Sequence, residues 1–261
     1  MSLDNQNTPS QTINMSLRKN YTAGEQEFFG ELDSYWTGSG GTTVDKLTSF
    51  ARFVPRQALA TLLARERMFQ KILNVHGHIV ECGVYRGGGY LSWSHFSAIF
   101  EPYNHVRRVV GFDTFEGFPA VGDGDGDNDL PYKHAGGLAT HAEQEVREAI
   151  RMHDLNRPLG HISRNELVIG DACKTIPHYV ETNKHVVVAL LYLDFDLYEP
   201  TKIAIETFWP RMPKGAILAF DELNQKLWPG ETMALFDSIG IGSLRISRFE
   251  FNPQISYAVK E

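Results

Sequence analysis

Only two of the 261 residues are cysteine, Cys82 and Cys173, which excludes a disulfide scaffold and is too few for a zinc site built on thiolates. Long apolar runs are missing as well: none approaches the roughly 18 residues that would span a bilayer. Lysine and arginine never form a run, and the net charge is −7. That argues against a nucleic-acid partner and against attraction to an anionic membrane surface. The first residues, MSLDNQNTPSQTINMS, carry no apolar signal core. These absences together predict a soluble, cytoplasmic protein.

Apolar residues make up 42% and charged residues 22% of the chain, enough for one large domain or for a domain with a small appendage. Residues 1–20 are polar and read as a mobile tail. Residues 21–75 read as a helical cap or lid, with Phe28, Phe29, Leu32 and Trp36 on one side of its first helix, Phe28, Phe29, Tyr35 and Trp36 as aromatics that could cover an acceptor or pack in the core, and Pro55 opening a second helix. From residue 76 the pattern alternates. Strands are expected at 78–84, 108–115, 166–172, 186–196 and 215–223, with helices at 89–101, 141–153, 172–183 and 199–209. SLRISRFEF and SYAVKE then follow as two strands joined by a short turn. The expected fold is α/β: a doubly wound, seven-stranded, mostly parallel sheet with an antiparallel pair at one edge.

Such sheets bind ligands beyond the carboxyl ends of their strands, and each of the five alternating strands brings a carboxylate there. Glu81-Cys82-Gly83-Val84-Tyr85-Arg86-Gly87 follows the first strand, and its glycines let the backbone approach a ligand, although the spacing is not GxGxxG. Asp113, after the second strand, suits a ribose or a helix N-cap equally. Gly170-Asp171-Ala172 suits an adenine edge, or Asp171 caps the next helix. The apolar strand VVVALLYLDFD ends in Asp194 and Asp196, which alternation places on one face. Asp196 reads as the cap of the helix after it, and Asp194 as functional. With Asp221 and Glu222 from the fifth strand, Asp194 could hold one hard cation, Mg²⁺, Ca²⁺ or Mn²⁺, because the donors are all oxygen. Asp123-Gly-Asp125-Gly-Asp127-Asn128-Asp129 imitates a calcium loop, but its sixth position is Asn and its twelfth is His134. It reads as a solvated, mobile loop, and His134 and His141 nearby read as surface residues.

IVECGVYRGGG, GFDTFEGFP, GDACKTIP, LDFDLYEPTKIAIE and FDEL, in this order, resemble the macrocin O-methyltransferase (TylF-like) family from about Phe53 onward. The resemblance implies a class I methyltransferase fold that binds S-adenosylmethionine and methylates a sugar hydroxyl of a glycosylated natural product or a nucleotide-linked sugar. It implies that Glu81, Cys82, Gly83, Tyr85, Arg86 and Gly87 border the cofactor, with Glu81 and Gly83 beside its methionine part. Asp113 and Thr114 would then lie at the ribose, Gly170, Asp171 and Ala172 at the adenine, and Asp194 beside the reacting centre. Asp194, Asp221 and Glu222 would bind Mg²⁺, with Asp194 also the general base. Many members carry Asp where this chain has Glu222. A small-molecule acceptor and a homo-oligomer are implied too. Three rival readings remain at this level: a catechol-type O-methyltransferase, a nucleotide-sugar enzyme using NAD or a DxD metal site, and a non-catalytic cofactor-binding subunit.

Overall fold

The computed structural model describes residues 21–126 and 130–261; the expected tail and Asp127, Asn128 and Asp129 lie outside them. The chain divides into two compact units, residues 1–56 and 57–261. In the first, helix α1 (Ala23–Gly38) starts with a capping box in which Thr22 and Glu25 satisfy each other's backbone N–H. Helix α2 (Thr43–Thr48) starts in the same way with Thr42 and Asp45. Tyr35 and Trp36 of α1 pack their rings on Phe53. The expected boundary near residue 75 falls instead after residue 56. Nearly all of helix α3 (Arg56–Lys71) therefore belongs to the sheet unit, where Ala64, Arg65, Met68 and Phe69 are buried.

The second unit is a seven-stranded sheet in the order β3-β2-β1-β4-β5-β7-β6. Its strands are β1 (His78–Cys82), β2 (Val109–Asp113), β3 (Asn165–Ile169), β4 (Val188–Leu193), β5 (Ile217–Phe220), β6 (Ser247–Arg248) and β7 (Ser256–Val259). The first five are parallel, and β7 enters between β5 and β6 antiparallel to both. The expected fold class is therefore the one observed. The five parallel strands are shorter than their apolar runs, so that Asp194 and Asp221 fall just past a strand end. Helices α4 (Gly88–Phe100), α5 (Glu143–Leu155), α6 (Ala172–Thr182) and α7 (Tyr198–Phe208) lie where alternation placed them. An eighth, α8 (Gly230–Ser238), was not expected.

β4 is buried at every position, as a strand covered on both faces must be. Alternation sorts the core into two halves. Ile79, Val109, Leu190, Ile217 and Ala219 pack with Met68, Phe69 and Trp93 of α3 and α4. Val80, Val110, Leu191, Leu193, Leu218 and Phe220 pack with Ile176, Ile205, Phe208 and Leu235 of α6, α7 and α8. Strand order reverses between β1 and β4, the place where open α/β sheets take their ligands.

One buried group makes stability depend on acid. The His153 ring on α5 is 6% exposed and meets His95 of α4 edge-on at 4.5 Å, and neither of its nitrogens has a hydrogen-bond partner. Burial, then His95, Arg157 and Arg164, push its pKa down to about 4, against a smaller upward pull from Asp154. The unfolded chain binds this proton near 6.5, so the stabilisation is complete above 6.5 and is lost as pH falls from there through 4. His153→Phe keeps the ring contact and cannot be protonated. Urea unfolding between pH 7 and 4 should show a loss about 2 kcal/mol smaller in the variant than in the wild type.

Candidate active site

Left-handed backbone marks the carboxyl end of the sheet. Tyr85, Phe115, Asp196 and Asn224 all have φ between 53° and 65°, and they follow β1, β2, β4 and β5 respectively. Such residues cost of order 1–3 kcal/mol each and gather where geometry is imposed by function. Gly83, with φ +93°, stands where a Cβ would fall 1.9 Å from the Asp194 carbonyl. The loops after β1 and β4 therefore touch, and only glycine permits the contact.

The loop after β1 is tied down by Asp113. Its Oδ2 accepts the Val84 and Tyr85 N–H groups, both at 2.7 Å, and its Oδ1 accepts that of Phe115 at 2.7 Å. Burial raises its pKa despite these bonds. Thr114 closes the next turn, donating to the Gly117 carbonyl at 2.7 Å. Glu81 and Cys82 lie beneath this loop rather than in it: Glu81 is buried against Arg65 and Trp93, and the Cys82 side chain packs in the core. Arg86 is exposed and reaches Glu145 at 3.9 Å. Gly87 opens α4, and a Cβ on Gly88 beside it would meet nothing within 4 Å. Gly88 is exposed, so the N-terminus of α4 is open on that side. After β3, Gly170 takes φ +128°. Asp171 caps α6 through the Cys173 N–H at 3.0 Å and pairs with Lys174 at 3.0 Å. Burial pushes its carboxyl up, and these two partners hold it below the usual value. Ala172 is buried.

The carboxylates after β4 and β5 fall into two sets. On the α3/α4 side, Arg65 Nη1 lies 3.0 Å from Glu81 Oε2 and its Nη2 lies 3.7 Å from Asp194 Oδ2. Its plane covers the Tyr192 ring at 4.2 Å, and the Tyr192 hydroxyl donates to Asp221 Oδ1 at 2.5 Å. On the α8 side, Glu231 is fully buried and accepts the Glu222 N–H at 3.2 Å. Burial raises Asp194, Asp196 and Glu231 well above the carboxylate range; Asp221 adds most to Asp194, Glu222 to Asp196 and Asp194 to Glu231. The Asp194 side chain keeps 32% exposure, so water moderates its shift. Asp194, Asp221 and Glu222 are thus within electrostatic reach of one another. Among the described residues, however, no group of three or more Asp, Glu, His or Cys side chains is placed to hold a metal ion. The reason is that Asp194 turns to Arg65 and Asp221 to Tyr192.

Asp196 is not the cap of α7. The helix N-cap is Leu197, with no side-chain bond, and Asp196 belongs to the acidic cluster. The cap is Asp125, from the loop that imitates a calcium site. Asp125 is 3% exposed; Oδ1 accepts the Tyr198 N–H at 2.6 Å and Oδ2 that of Gly122 at 2.7 Å. Asp125 is therefore an anchored residue and not a solvated one, while residues 127–129 of the same run lie outside the described residues. Phe118 and the Gly136–Gly137 pair exchange backbone bonds, and Phe115 accepts from Thr140 and His141. Tyr132 and Phe118 lie on Trp228, and burial, then Glu222 and Asp196, raise the Tyr132 hydroxyl. His134 and His141 are exposed, the latter 3.2 Å from Glu116.

The chain matches the macrocin O-methyltransferase (TylF) model over residues 54–235. The chain belongs to this family. Its fold superposes on the calicheamicin methyltransferase CalS11 with a TM-score of 0.87, at 34% identity, covering 92% of this chain and 93% of that one. The apo form of CalS11, described as a TDP-rhamnose 3'-O-methyltransferase, gives 0.79 at 32% identity over 92% and 95%. The 8-demethyl-8-(2,3-dimethoxy-alpha-L-rhamnosyl)-tetracenomycin-C 4'-O-methyltransferase of Streptomyces olivaceus is 30% identical over 156 residues, 57% of this chain and 53% of that protein. The chain spans about half the length of the curated relatives it matches.

Arg65, Trp93, Tyr192, Tyr132, Asp125 and Glu231 were not predicted as site residues. Arg65 carried a readable signal, being a charge at the core-facing spacing of Leu62, Met68 and Phe69. Tyr192 is the aromatic residue two before Asp194 in an aliphatic strand. Asp125→Ala should lower stability by about 1–2 kcal/mol through the lost cap; Asp125→Asn, which can still accept from Tyr198, should lose less than half of that in thermal unfolding.

Proposed function

We propose that the protein transfers a methyl group from S-adenosylmethionine to a sugar hydroxyl of a glycoside or nucleotide-linked sugar. The observation that carries this reading is Asp194, which stands at the end of β4 where strand order reverses, its backbone against Gly83 of the loop that leads into α4. Family membership and the likeness to CalS11 support it. When bound, S-adenosylmethionine supplies an electrophilic methyl group. Tyr85, Arg86, Gly87 and the open face of Gly88 would form the near wall of its site, and Asp113, whose Oδ1 accepts from Phe115, would lie at the ribose. Gly170 and Asp171 would border the far end. Glu81 and Cys82 support the loop from below it.

Asp194 takes the proton of the acceptor hydroxyl. A sugar hydroxyl ionises far above neutral pH, so a carboxylate with a raised pKa is the better-matched base. Tyr132 and Phe118 provide flat apolar surfaces on which a sugar ring can rest beside the carboxylates. A divalent cation is the finer part of the proposal: Asp221, Glu222 and one oxygen of Asp194 would hold it once Asp194 and Asp221 turn from Arg65 and Tyr192, and all-oxygen donors suit a hard ion. When bound, it would lower the pKa of the hydroxyl. A catechol acceptor shares this chemistry, and turnover of a catechol with none of a nucleotide-linked sugar would favour that reading instead.

Calorimetry should give a micromolar Kd for S-adenosylhomocysteine and no binding of NAD⁺. Failure to bind S-adenosylhomocysteine would overturn the reading. Asp194→Asn should cut turnover by about 10²–10⁴-fold while leaving that Kd within about threefold; full activity in the variant would remove Asp194 from the role. EDTA should abolish turnover and Mg²⁺ restore it, and indifference to both would remove the cation.

A further inference from the structure

Arg65 is a charge at a core-facing position of α3, 5% exposed. Burying a guanidinium is costly, and an apolar residue of like volume commonly serves stability as well or better. Its surroundings nevertheless fix it from several elements. Nη1 is 3.0 Å from Glu81 Oε2 on β1, and the Trp93 indole N–H of α4 donates to that same oxygen. The Tyr192 ring of β4 lies 4.2 Å from the guanidinium carbon and the Trp93 ring 5.5 Å. On α4, Gly89 makes the room: a Cβ there would sit 1.6 Å from Nη1.

The two carboxylates beside Arg65 are treated differently. Glu81 is within hydrogen-bond length, whereas Asp194 Oδ2 is 3.7 Å from Nη2, beyond it. A shorter contact would put an N–H on the oxygen that must accept a proton. At this distance Asp194 faces a positive charge and keeps its lone pairs. We propose that Arg65 is a positioning residue for methyl transfer: clamped by Glu81, it holds the Asp194 carboxylate in place by charge while leaving its oxygens open to the acceptor. The proposal rests on the preceding reading, in which Asp194 is the base. It gives Glu81 a part apart from the cofactor, as the group that keeps the guanidinium from closing on Asp194.

Two substitutions move the guanidinium without removing it. Gly89→Ala drives a methyl group into Nη1, and Glu81→Gln loosens the clamp while still accepting from Trp93. With TDP-rhamnose as the acceptor probe, both should lower kcat by about 10- to 100-fold, as misplacement by an ångström does. The calorimetric Kd for S-adenosylhomocysteine and the KM for the sugar should stay within about threefold. Arg65→Lys should retain more activity than Arg65→Met. Unchanged kcat would overturn the proposal, and so would parallel losses of kcat, affinity and melting temperature. If the wild type methylates no sugar, the functional reading fails, and the pairing is read separately by thermal unfolding. Asp194→Asn relieves repulsion among the carboxylates but also gives up the attraction of Arg65. It should therefore raise the melting temperature more in the Gly89→Ala background than in the wild type, by about 2 °C or more. Equal shifts in both backgrounds would remove the coupling.

Discussion

Like charges crowd the place where two interior strands end, and much of the sheet unit is arranged around that fact. Asp194, Asp196, Asp221, Glu222 and Glu231 lie within electrostatic reach of one another, with Glu222 and Glu231 buried and the three aspartates partly open to water. Repulsion of this size is sustained only when the surrounding fold fixes it. The fold does so from below with a guanidinium and from the sides with a tyrosine hydroxyl and backbone N–H groups. Helix α3 is consequently part of the sheet unit rather than an accessory to it: it delivers Arg65 beneath the ends of β1 and β4.

The location of the site is a consequence of topology. β1 and β4 are neighbours whose following helices, α4 and α7, pack on opposite faces of the sheet, so the connections diverge above them. At four strand ends the chain takes a left-handed backbone, which turns each loop sharply as it leaves the sheet. Asp113 then spends three bonds holding the loops after β1 and β2 in register. The result is a rim whose shape is set before any ligand arrives, which is how a site avoids losing binding energy to its own ordering.

Period-2 and period-3.6 patterns suffice to read the alternating strands and helices, because each element buries a stripe or a face of ordinary width. The five strand-end carboxylates were legible for the same reason. What was not legible depended on side chains meeting across long sequence separations. Arg65 and Glu81 are 16 residues apart, and Asp125 and Tyr198 are 73 apart. Asp196 was misread because an acidic residue just before a helix is usually its cap; the helix took its cap from a distant loop instead. Helix α8 was missed since Trp228-Pro229-Gly230 looks like a turn, and here it serves as the helix start. The metal donors could be named from chemistry, but which way each carboxylate turns depends on Arg65 and Tyr192.

The anchoring of the loop after β2 to α7 has a further consequence. Asp125 fastens the loop to α7, and the backbone bonds of Phe118 to Gly136 and Gly137 tie the segment before Asp125 to the segment after it. A change of length in one segment is therefore transmitted to the other, as a stitch carries tension across a seam. Phe118 and Tyr132, which share the Trp228 ring, would shift together. Acceptor preference is then altered by exchanging the stitched loop as one unit, with the helix cap left intact as its joint.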